Sequence, residues 1–564
     1  MKRVTILAVA LLLLASGVSF GQATSKGDTL IIGPMNSQGQ PVGALNEYIA
    51  ADTTSTGERA HKVYKLLRNQ TYILTATVSA DFPLVIVADP PDENNRPPII
   101  RSGLKPDGST VMPLIQAFSD WTMKNVWVSG VAPTGDSNIG WHVLACNGEG
   151  TRIVFEGCIF ENPYAGWSYV NGYGASHTTY IVKDCIVRNV VQPGGTWAGS
   201  FLTHGVIDTV KFINTTFFNV EGPVTTCDEV IGQLYTEVEH CTFVNSVVHQ
   251  FILNKPVIAK VNNNIFFNCY SFSGGPMEVA SHPDGLIHGI IHMFRFDPAI
   301  LDSAWGSYYD PDGNGVLEEK ERVYELKNNN WWYSDPIKQY WAANDTVYEQ
   351  TFMNDTVRVH FFEDEAGHPW YDEVNTKNVD PQFTDIGNSD ELLRQNNEHI
   401  RAGAEPVMWA FVPEGQDYLS FTWPLPEDLS YSNAELLTAA EGGFPVGDLN
   451  WFPDKKAQWE DWVKTAVEEE RPTGVPQDFG LAQNFPNPFN SSTTIAFRLS
   501  KSAHVRLAVY NSLGQRVASL VDKQMGPGRH TVRFDAGDLP SGVYFCRLEA
   551  GDQRLQVRKM ILLK

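Results

Sequence analysis

A strand–turn–strand unit recurs five times in the middle of the chain and restricts the possible folds more than any other feature. Each copy ends in asparagine, and successive final asparagines are 27, 30, 26 and 23 residues apart. The copies are residues 153–162 (IVFEGCIFEN), 181–189 (IVKDCIVRN), 210–219 (VKFINTTFFN), 237–245 (EVEHCTFVN) and 260–268 (KVNNNIFFN). Repeats of this length indicate a fold in which each unit contacts its neighbours in a stack.

The last residues of each copy alternate in a way that predicts columns of like side chains. In the first copy, Cys158, Phe160 and Asn162 fall on one face of a strand, and Glu161 falls on the other. Stacking in register would give interior columns of Cys/Thr/Asn and of Phe/Val/Trp, and a column of asparagines hydrogen bonded from rung to rung. An ordinary β-sandwich is the alternative, but irregular spacing with a constant interior pattern favours a coil.

The repeat region, residues 64–381, resembles the pectate-lyase-like superfamily of right-handed parallel β-helices. The resemblance lies in the repeat and not in a catalytic motif. It implies an all-β protein in which residues 22–63, with a short helix, cap the N-terminal end of the coil. Residues 382–470 indicate a mixed, partly helical lid on the C-terminal end of the coil, and residues 471–478 indicate a linker.

Residues 479–564 form a separate β-rich module. Its motifs are, in order, residues 484–490 (NFPNPFN), 512–517 (SLGQRV), 541–544 (SGVY) and 559–564 (KMILLK). Alternating runs and closely spaced turns predict a small immunoglobulin-like β-sandwich. The module resembles the type A C-terminal sorting domain of the bacterial type IX secretion system, which implies the secretion machinery as a partner. The alternative is an ordinary carbohydrate-binding or spacer sandwich.

The N-terminal residues and the charge distribution also indicate export. Residues 1–21 have the basic start and short apolar run of a signal peptide, and no later segment is apolar for long enough to span a membrane. Residues 479–564 contain 12 basic and 5 acidic residues, so this module carries +7 and the rest of the −23 chain carries −30. Such a body repels phosphate backbones, which argues against nucleic acid as a partner. We expect the protein outside the cell or on the outer-membrane surface of a Gram-negative bacterium.

One motif predicts a metal site. Residues 310–321 (DPDGNGVLEEKE), within an insertion at about 296–326, fit the D-x-[DN]-x-[DN]-G-x5-E calcium loop. The predicted ligands are Asp310, Asp312, Asn314, Val316, Glu318 and Glu321. The valine would supply its backbone carbonyl, and the last glutamate would bind through both oxygens. A solitary loop in an exported protein suggests a structural Ca²⁺ ion, and a polar turn with fortuitous acids is the alternative.

No motif identifies catalytic residues. The resemblance implies calcium with a lysine or arginine base if the protein is a lyase, or paired carboxylates if it is a hydrolase. Weak candidates are Lys260, His288 and Arg295. His288 and His292 would share one face of a strand, but a zinc site needs a third ligand. Histidines that are hydrogen bonded in a groove are the commoner explanation.

The sequence therefore predicts an exported β-helix protein that binds or processes extracellular carbohydrate. Loops between the rungs carry aromatic residues that could stack on sugar rings, among them Trp141, Trp167 and Trp197. The same rings could instead cover the coil. A noncatalytic adhesive or envelope protein and a polysaccharide lyase are the alternative functions, because this fold alone does not specify an activity.

Overall fold

The computed structural model describes most of the coil, the segment that follows it and the strands of the C-terminal module. The described residues are 23–131, 142–161, 168–173, 178–191, 199–204, 207–222, 224–227, 233–248, 251–252, 256–272, 289–292, 323–344, 350–353, 371–404, 409–416, 420–469, 480–481, 484, 489, 492–499, 503–511, 515–525, 528–537, 539–550 and 555–562. The predicted signal peptide, calcium loop and linker lie outside these residues.

Three sheets, connected rung by rung, form a parallel β-helix. The first sheet contains Thr24–Lys26, Thr29–Ile32, Val63–Leu66, Leu84–Val87, Trp121–Lys124, Arg152–Glu156, Thr178–Lys183, Ile207–Ile213, Gln233–Glu239, Pro256–Asn262, Val323–Lys327 and Tyr371–Val374. The second contains Thr71–Leu74, Ile99–Ser102, Trp127–Ser129, Ile159–Glu161, Ile186–Val190, Thr216–Val220, Thr242–Val244, Ile265–Phe267 and Asn330–Trp332. The third contains Val78–Ala80, Ile115–Ala117, His142–Cys146, Ser168–Tyr173, Gly199–His204, Thr225–Cys227, Phe251–Ile252 and Ile291–His292. The predicted all-β coil is confirmed.

The interior aromatic column predicted from the repeat is present. Phe160, Val187, Phe217, Phe243 and Phe266 share one register position on successive strands of the second sheet. The ring of Phe243 stacks on those of Phe217 and Phe266, with centroids 4.8 and 5.0 Å apart. All of these side chains are buried. Since no rung could bury this surface alone, the stack itself stabilises the coil.

A second interior column consists of thiols, a hydroxyl and amides. Its members are Cys158, Cys185, Thr215, Cys241, Asn264 and Asn329. The cysteines among them are free and buried, as predicted from their repeat position. The backbone N–H of Cys241 donates to Asn264 Oδ1 at 2.7 Å, and Asn264 Nδ2 donates to Asn329 Oδ1 at 3.1 Å. Side-chain amides thus replace backbone partners inside the coil, where an unpaired polar group would be costly.

The rungs turn at two corners where the backbone is left-handed. The corner between the first and second sheets has positive φ at Asn125, Gly157, Asp184, Asn214, His240, Asn263, Asn328 and Asn375. The corner after the second sheet has positive φ at Asn189, Asn219, Asn245 and Asn268. These are mostly the residue types that tolerate this conformation best. The final asparagines of the repeat also form the predicted ladder, because Asn245 Nδ2 donates to Asn219 Oδ1 at 2.9 Å and Asn268 Nδ2 to Asn245 Oδ1 at 3.0 Å.

Among the described residues, four α-helices accompany the coil. They are α1 (Ala44–Ala51), α2 (Asp335–Ala342), α3 (Ser389–Ala402) and α4 (Pro453–Glu469), with short 3₁₀ turns at Leu436–Thr438, Glu441–Gly443 and Leu449–Trp451. α1 lies in the predicted N-terminal cap and buries Leu45 and Ile49 in the core of the coil. α3 packs against α2, and Arg401 Nε donates to the Tyr340 hydroxyl at 2.8 Å.

The segment after α3 covers the outward face of the second sheet. We name residues 409–416 and 420–452 the strap. Its Phe421, Trp423 and Leu425 pack on outward side chains of that sheet, including Trp127, whose ring lies 5.4 Å from that of Phe421. The strap belongs to the region predicted as a lid, residues 382–470, and it lies along a face of the coil. The reason is that strands such as Thr216–Val220 and Ile265–Phe267 are apolar on both faces and must be covered.

A buried ionic group joins the strap to the coil. Arg188 Nε and Nη2 donate to the Glu427 carboxylate of the strap at 2.7 and 2.9 Å, and Arg188 Nη1 donates to Glu161 at 2.5 Å. The three side chains are at most 7% exposed. Burial raises the pKa of Glu161, and the Arg188 charge opposes that change. This group therefore holds the strap to the coil at one position.

The C-terminal module is an antiparallel β-sandwich with its own core. One sheet contains Gly480–Leu481, Ser492–Leu499 and Gly528–Asp535, and the other contains Ala503–Asn511, Arg516–Met525, Gly542–Ala550 and Leu555–Leu562. Phe497, Leu507, Val509, Leu548 and Met560 are among its buried residues. The predicted small sandwich is therefore confirmed.

Candidate functional site

The outward face of the first sheet carries a row of charges that alternate in sign. Lys211, Glu237, Lys260 and Glu325 share one register position on successive strands. Adjacent members are about 4.8 Å apart because that is the spacing of strands in a sheet. These strands alternate buried and half-buried residues, so the charged side chains face water while their neighbours fill the core.

Most charges in this row are already paired. Lys211 Nζ lies 2.5 Å from Glu237 Oε2, and Lys327 Nζ lies 2.8 Å from Glu325 Oε2. Asn262 Nδ2 also donates to Glu325 Oε1 at 2.6 Å. Burial alone would raise the pKa of Glu325, but the hydrogen bonds from Lys327 and Asn262 hold it below its ordinary value. The lowered pKa keeps the Glu325 carboxylate ionised beside the Lys327 ammonium group.

Lys260 differs from the other cations of this face. Its register neighbours are Glu237 and Glu325, and each of these is bonded to another lysine. Within the part of the chain that the structure describes, the Lys260 ammonium group has no hydrogen bond or ion pair. Its charge still helps to lower the pKa of Glu325. Lys260 thus places an available cation on a rigid, open face.

Glu239 is a functional candidate that the sequence did not identify. It lies two residues beyond Glu237 on the same strand and the same face, with a side chain that is 19% exposed. Burial raises the pKa of Glu239 to about 8. A hydrogen bond from Asn263 opposes this shift, and repulsion from Glu237 and Glu441 adds to it. At neutral pH most of this carboxyl group is protonated. The alternation of residues 236–239 (TEVE) was the available signal, but Glu441 comes from the strap, some 200 residues away.

The other predicted site residues lie outside the described residues. These are the catalytic candidates His288 and Arg295, the calcium ligands at 310–321, and the loop tryptophans 141, 167 and 197. His292 lies in a short strand of the third sheet. Among the described residues, no three His, Cys, Asp or Glu side chains are placed to hold a metal ion. The described geometry therefore brings together Lys260, Glu237, Glu239 and Glu325, and the calcium loop stays a prediction.

The C-terminal sandwich was compared with protein-family models. Residues 483–563 match the family described as the secretion system C-terminal sorting domain. This module is a type IX sorting domain. The sorting domain makes the chain a secreted or cell-surface protein and implies contact with the secretion machinery. A search of curated proteins finds no match to the chain, so the coil's activity must be argued from its own residues.

Over the ranges that the structure describes, no helix combines the length and the apolar character needed to cross a bilayer.

Proposed function

We propose that this exported protein binds or processes extracellular carbohydrate on the outward face of its first sheet. The observation that supports the proposal is the ammonium group of Lys260, which has no bonded partner among the described residues and lies within a row of fixed donors and acceptors. A glycan presents hydroxyl groups that both donate and accept hydrogen bonds along its length. A mixed row of ammonium, amide and carboxylate groups complements such a ligand better than a row of one sign.

The same face contains a pair of carboxyl groups suited to acid–base chemistry. Glu239, with a pKa of about 8, keeps its proton at neutral pH, whereas Glu237 is paired with Lys211. Their positions, two residues apart on one strand, differ by roughly 6.6 Å along the backbone. Inverting glycoside hydrolases pair one protonated and one ionised carboxyl group, with the two carboxyl groups about 6.5–9.5 Å apart. If the protein cleaves glycans, we assign Glu239 as proton donor and Glu237 as base.

The test uses the purified exported protein and a panel of pectic, alginate, glycosaminoglycan and neutral insoluble glycans. We expect retention on at least one glycan, and we expect Lys260→Ala to weaken it about tenfold, the loss of one charge-assisted hydrogen bond. The matched control is Lys124→Ala, because Lys124 lies on the same face but is paired with Glu156 at 2.5 Å.

The products distinguish the alternative functions. New ultraviolet absorbance from unsaturated sugar ends would establish a lyase, and new reducing ends without absorbance would establish a hydrolase. Retention without products would indicate an adhesive or binding protein. The proposal is wrong if no glycan is retained or cleaved, or if Lys124→Ala and Lys260→Ala weaken retention equally.

We also propose that the loop at 310–321 binds one structural Ca²⁺ ion. The support is the sequence pattern, in which the oxygen-bearing side chains recur at the positions that a calcium loop requires. Oxygen ligands of this kind select hard cations.

A further inference from the structure

Three residues at the N-terminal end of the coil form a hydrogen-bonded chain of serine, histidine and aspartate. Ser25 Oγ lies 2.7 Å from His61 Nε2, and His61 Nδ1 lies 2.6 Å from Asp52 Oδ1. Ser25 is exposed, the His61 side chain is 13% exposed, and the Asp52 side chain is 4% exposed. This arrangement matches that of an exposed nucleophile, a base hydrogen bonded to it, and a buried carboxylate that orients the base.

The fold fixes each member of the chain separately. Asp52 follows α1, and its second oxygen accepts hydrogen bonds from the Tyr64 hydroxyl at 2.9 Å and from the His61 backbone N–H at 3.1 Å. His61 lies just before the strand Val63–Leu66. Ser25 lies in the edge strand of the first sheet, opposite Leu30, which in turn pairs with Tyr64. Ser25 and Tyr64 therefore point toward the same face of the sheet.

The aspartate determines which nitrogen of His61 carries the proton. Burial disfavours the charged form of Asp52, but the hydrogen bonds from His61 and Tyr64 outweigh it and hold the pKa of Asp52 below its ordinary value. An ionised Asp52 accepts the proton of Nδ1, so Nε2 of a neutral His61 is free to accept the Ser25 hydroxyl proton. Hydrogen bonding thus orients the imidazole as a base toward the serine.

The edge position of Ser25 also supplies a donor for a developing oxyanion. Lys26 and Thr29 flank a two-residue turn that begins at Gly27, whose φ is 59°. That pair exchanges hydrogen bonds across the hairpin, so the next pair, Ser25 and Leu30, does not. The backbone N–H of Ser25 therefore points away from the hairpin, toward the edge where the sheet has no further strand among the described residues. The nucleophile's own N–H is a usual component of an oxyanion hole.

We propose that Ser25, His61 and Asp52 form a hydrolytic site for carboxylic esters of short acids. Ser25 Oγ attacks the ester carbonyl as its proton passes to His61 Nε2, and the alcohol leaves with that proton. Water then attacks the acyl group on Ser25, with His61 again accepting and returning the proton, so that acid and free serine are released. Because Ser25 lies on an open edge, a short acyl group carried by a large extracellular substrate can reach it.

Hydrolysis at Ser25 does not depend on glycan binding at Lys260, and the variants that test it change different residues. The exported protein is treated with a fluorophosphonate probe, and the labelled peptide is identified by mass spectrometry. Hydrolysis of p-nitrophenyl acetate is measured in parallel. We expect the probe on Ser25, and we expect Ser25→Ala to abolish labelling and to lower hydrolysis by about 100-fold. We expect the same losses in His61→Gln, which removes the base.

The matched control is Ser109→Ala. Ser109 is exposed like Ser25, but its Oγ donates directly to the Asp107 carboxylate at 2.7 Å, whereas the Ser25 hydroxyl is bonded to a histidine. Thermal unfolding of each variant separates loss of chemistry from loss of fold, and an exposed serine should tolerate alanine. Absence of label on Ser25, or wild-type hydrolysis by Ser25→Ala, would overturn the proposal and leave the three residues as a structural tie between hairpin and cap.

Discussion

At the residue scale, burial determines the charge of two acidic groups, one on the coil and one in the strap. Glu239 has its pKa raised to about 8 and Asp448, a strap residue, to about 7, in both cases chiefly by burial. His240 is affected in the opposite sense, because burial lowers its pKa to about 4. The folded state therefore retains protons on these carboxyl groups that the unfolded chain releases.

Glu239→Gln should change how stability depends on pH. A raised pKa in the folded state stabilises the fold below the ordinary value of 4.5, and this contribution is lost as the pH rises to about 8. Replacing the carboxyl by an amide removes that loss, so the variant should gain roughly 1 kcal/mol or more relative to wild type between pH 5 and pH 8.5. Urea unfolding at the two pH values measures the difference. Glu93→Gln, at an exposed carboxyl, is the control, and equal pH dependence in wild type and Glu239→Gln would contradict the prediction.

Removing the buried cation beneath the strap should be costly. Arg188→Met leaves Glu161 and Glu427 facing each other without the guanidinium that now bonds both. Loss of one partner from a buried ionic group costs about 3–5 kcal/mol. The control is Lys65→Met, since Lys65 pairs with Asp89 at the surface and its loss should cost about 0–1 kcal/mol. Urea unfolding compares the two variants, and similar small losses would mean that the buried group does not hold the strap.

At the scale of structural elements, a corner of the rungs requires both a left-handed backbone and a side-chain amide from the same residue. Asn245 has a φ of 62°, and its side chain bonds Asn219, Asn268 and Ser389. Asn245→Gly removes the amide but adopts the left-handed backbone without strain. Asn245→Ala removes the amide and is also strained in that backbone conformation. We expect both variants to be destabilised, and alanine by about 1 kcal/mol more than glycine because of its strained backbone. Equal stability of the two variants in urea unfolding would show that the ladder, and not the backbone, requires asparagine.

How much of these elements the sequence could predict depends on the range of the interactions. The interior columns at Phe160 and Cys158 follow from local alternation within a repeat, and so both were predictable. The two-sided apolar runs of the second sheet, such as residues 216–220 (TFFNV), also indicated a covered face, but not which segment covers it. The raised pKa of Glu239 depends on burial and on Glu441, which local alternation does not reveal. The pairing of Ser25 with His61 likewise requires the sheet register.

At the scale of the whole molecule, calcium should stabilise the coil through its insertion. The double variant Asp312→Ala, Glu321→Ala removes two predicted ligands. A site filled at tenfold above its dissociation constant contributes about 1.4 kcal/mol, so wild type should unfold a few degrees higher in millimolar calcium than in chelator. The variant should not respond to calcium. An unchanged wild-type unfolding temperature with and without chelator would refute the predicted site.

The coil and the sorting domain should unfold as independent units. Their cores share no residue among those described, and Trp459–Lys564, which includes the sorting domain, belongs to a different compact unit from the coil. Calorimetry of the full chain should therefore give two transitions. Phe497→Ala, in the sandwich core, should reduce the free energy of unfolding of the sorting domain by about 3–5 kcal/mol and leave the coil's transition unchanged. Deleting residues 479–564 should abolish secretion while leaving the coil's transition in place, as cell fractionation and calorimetry would measure. A single transition, or a coil that melts when the sorting domain is removed, would mean that the domain also stabilises the protein it exports.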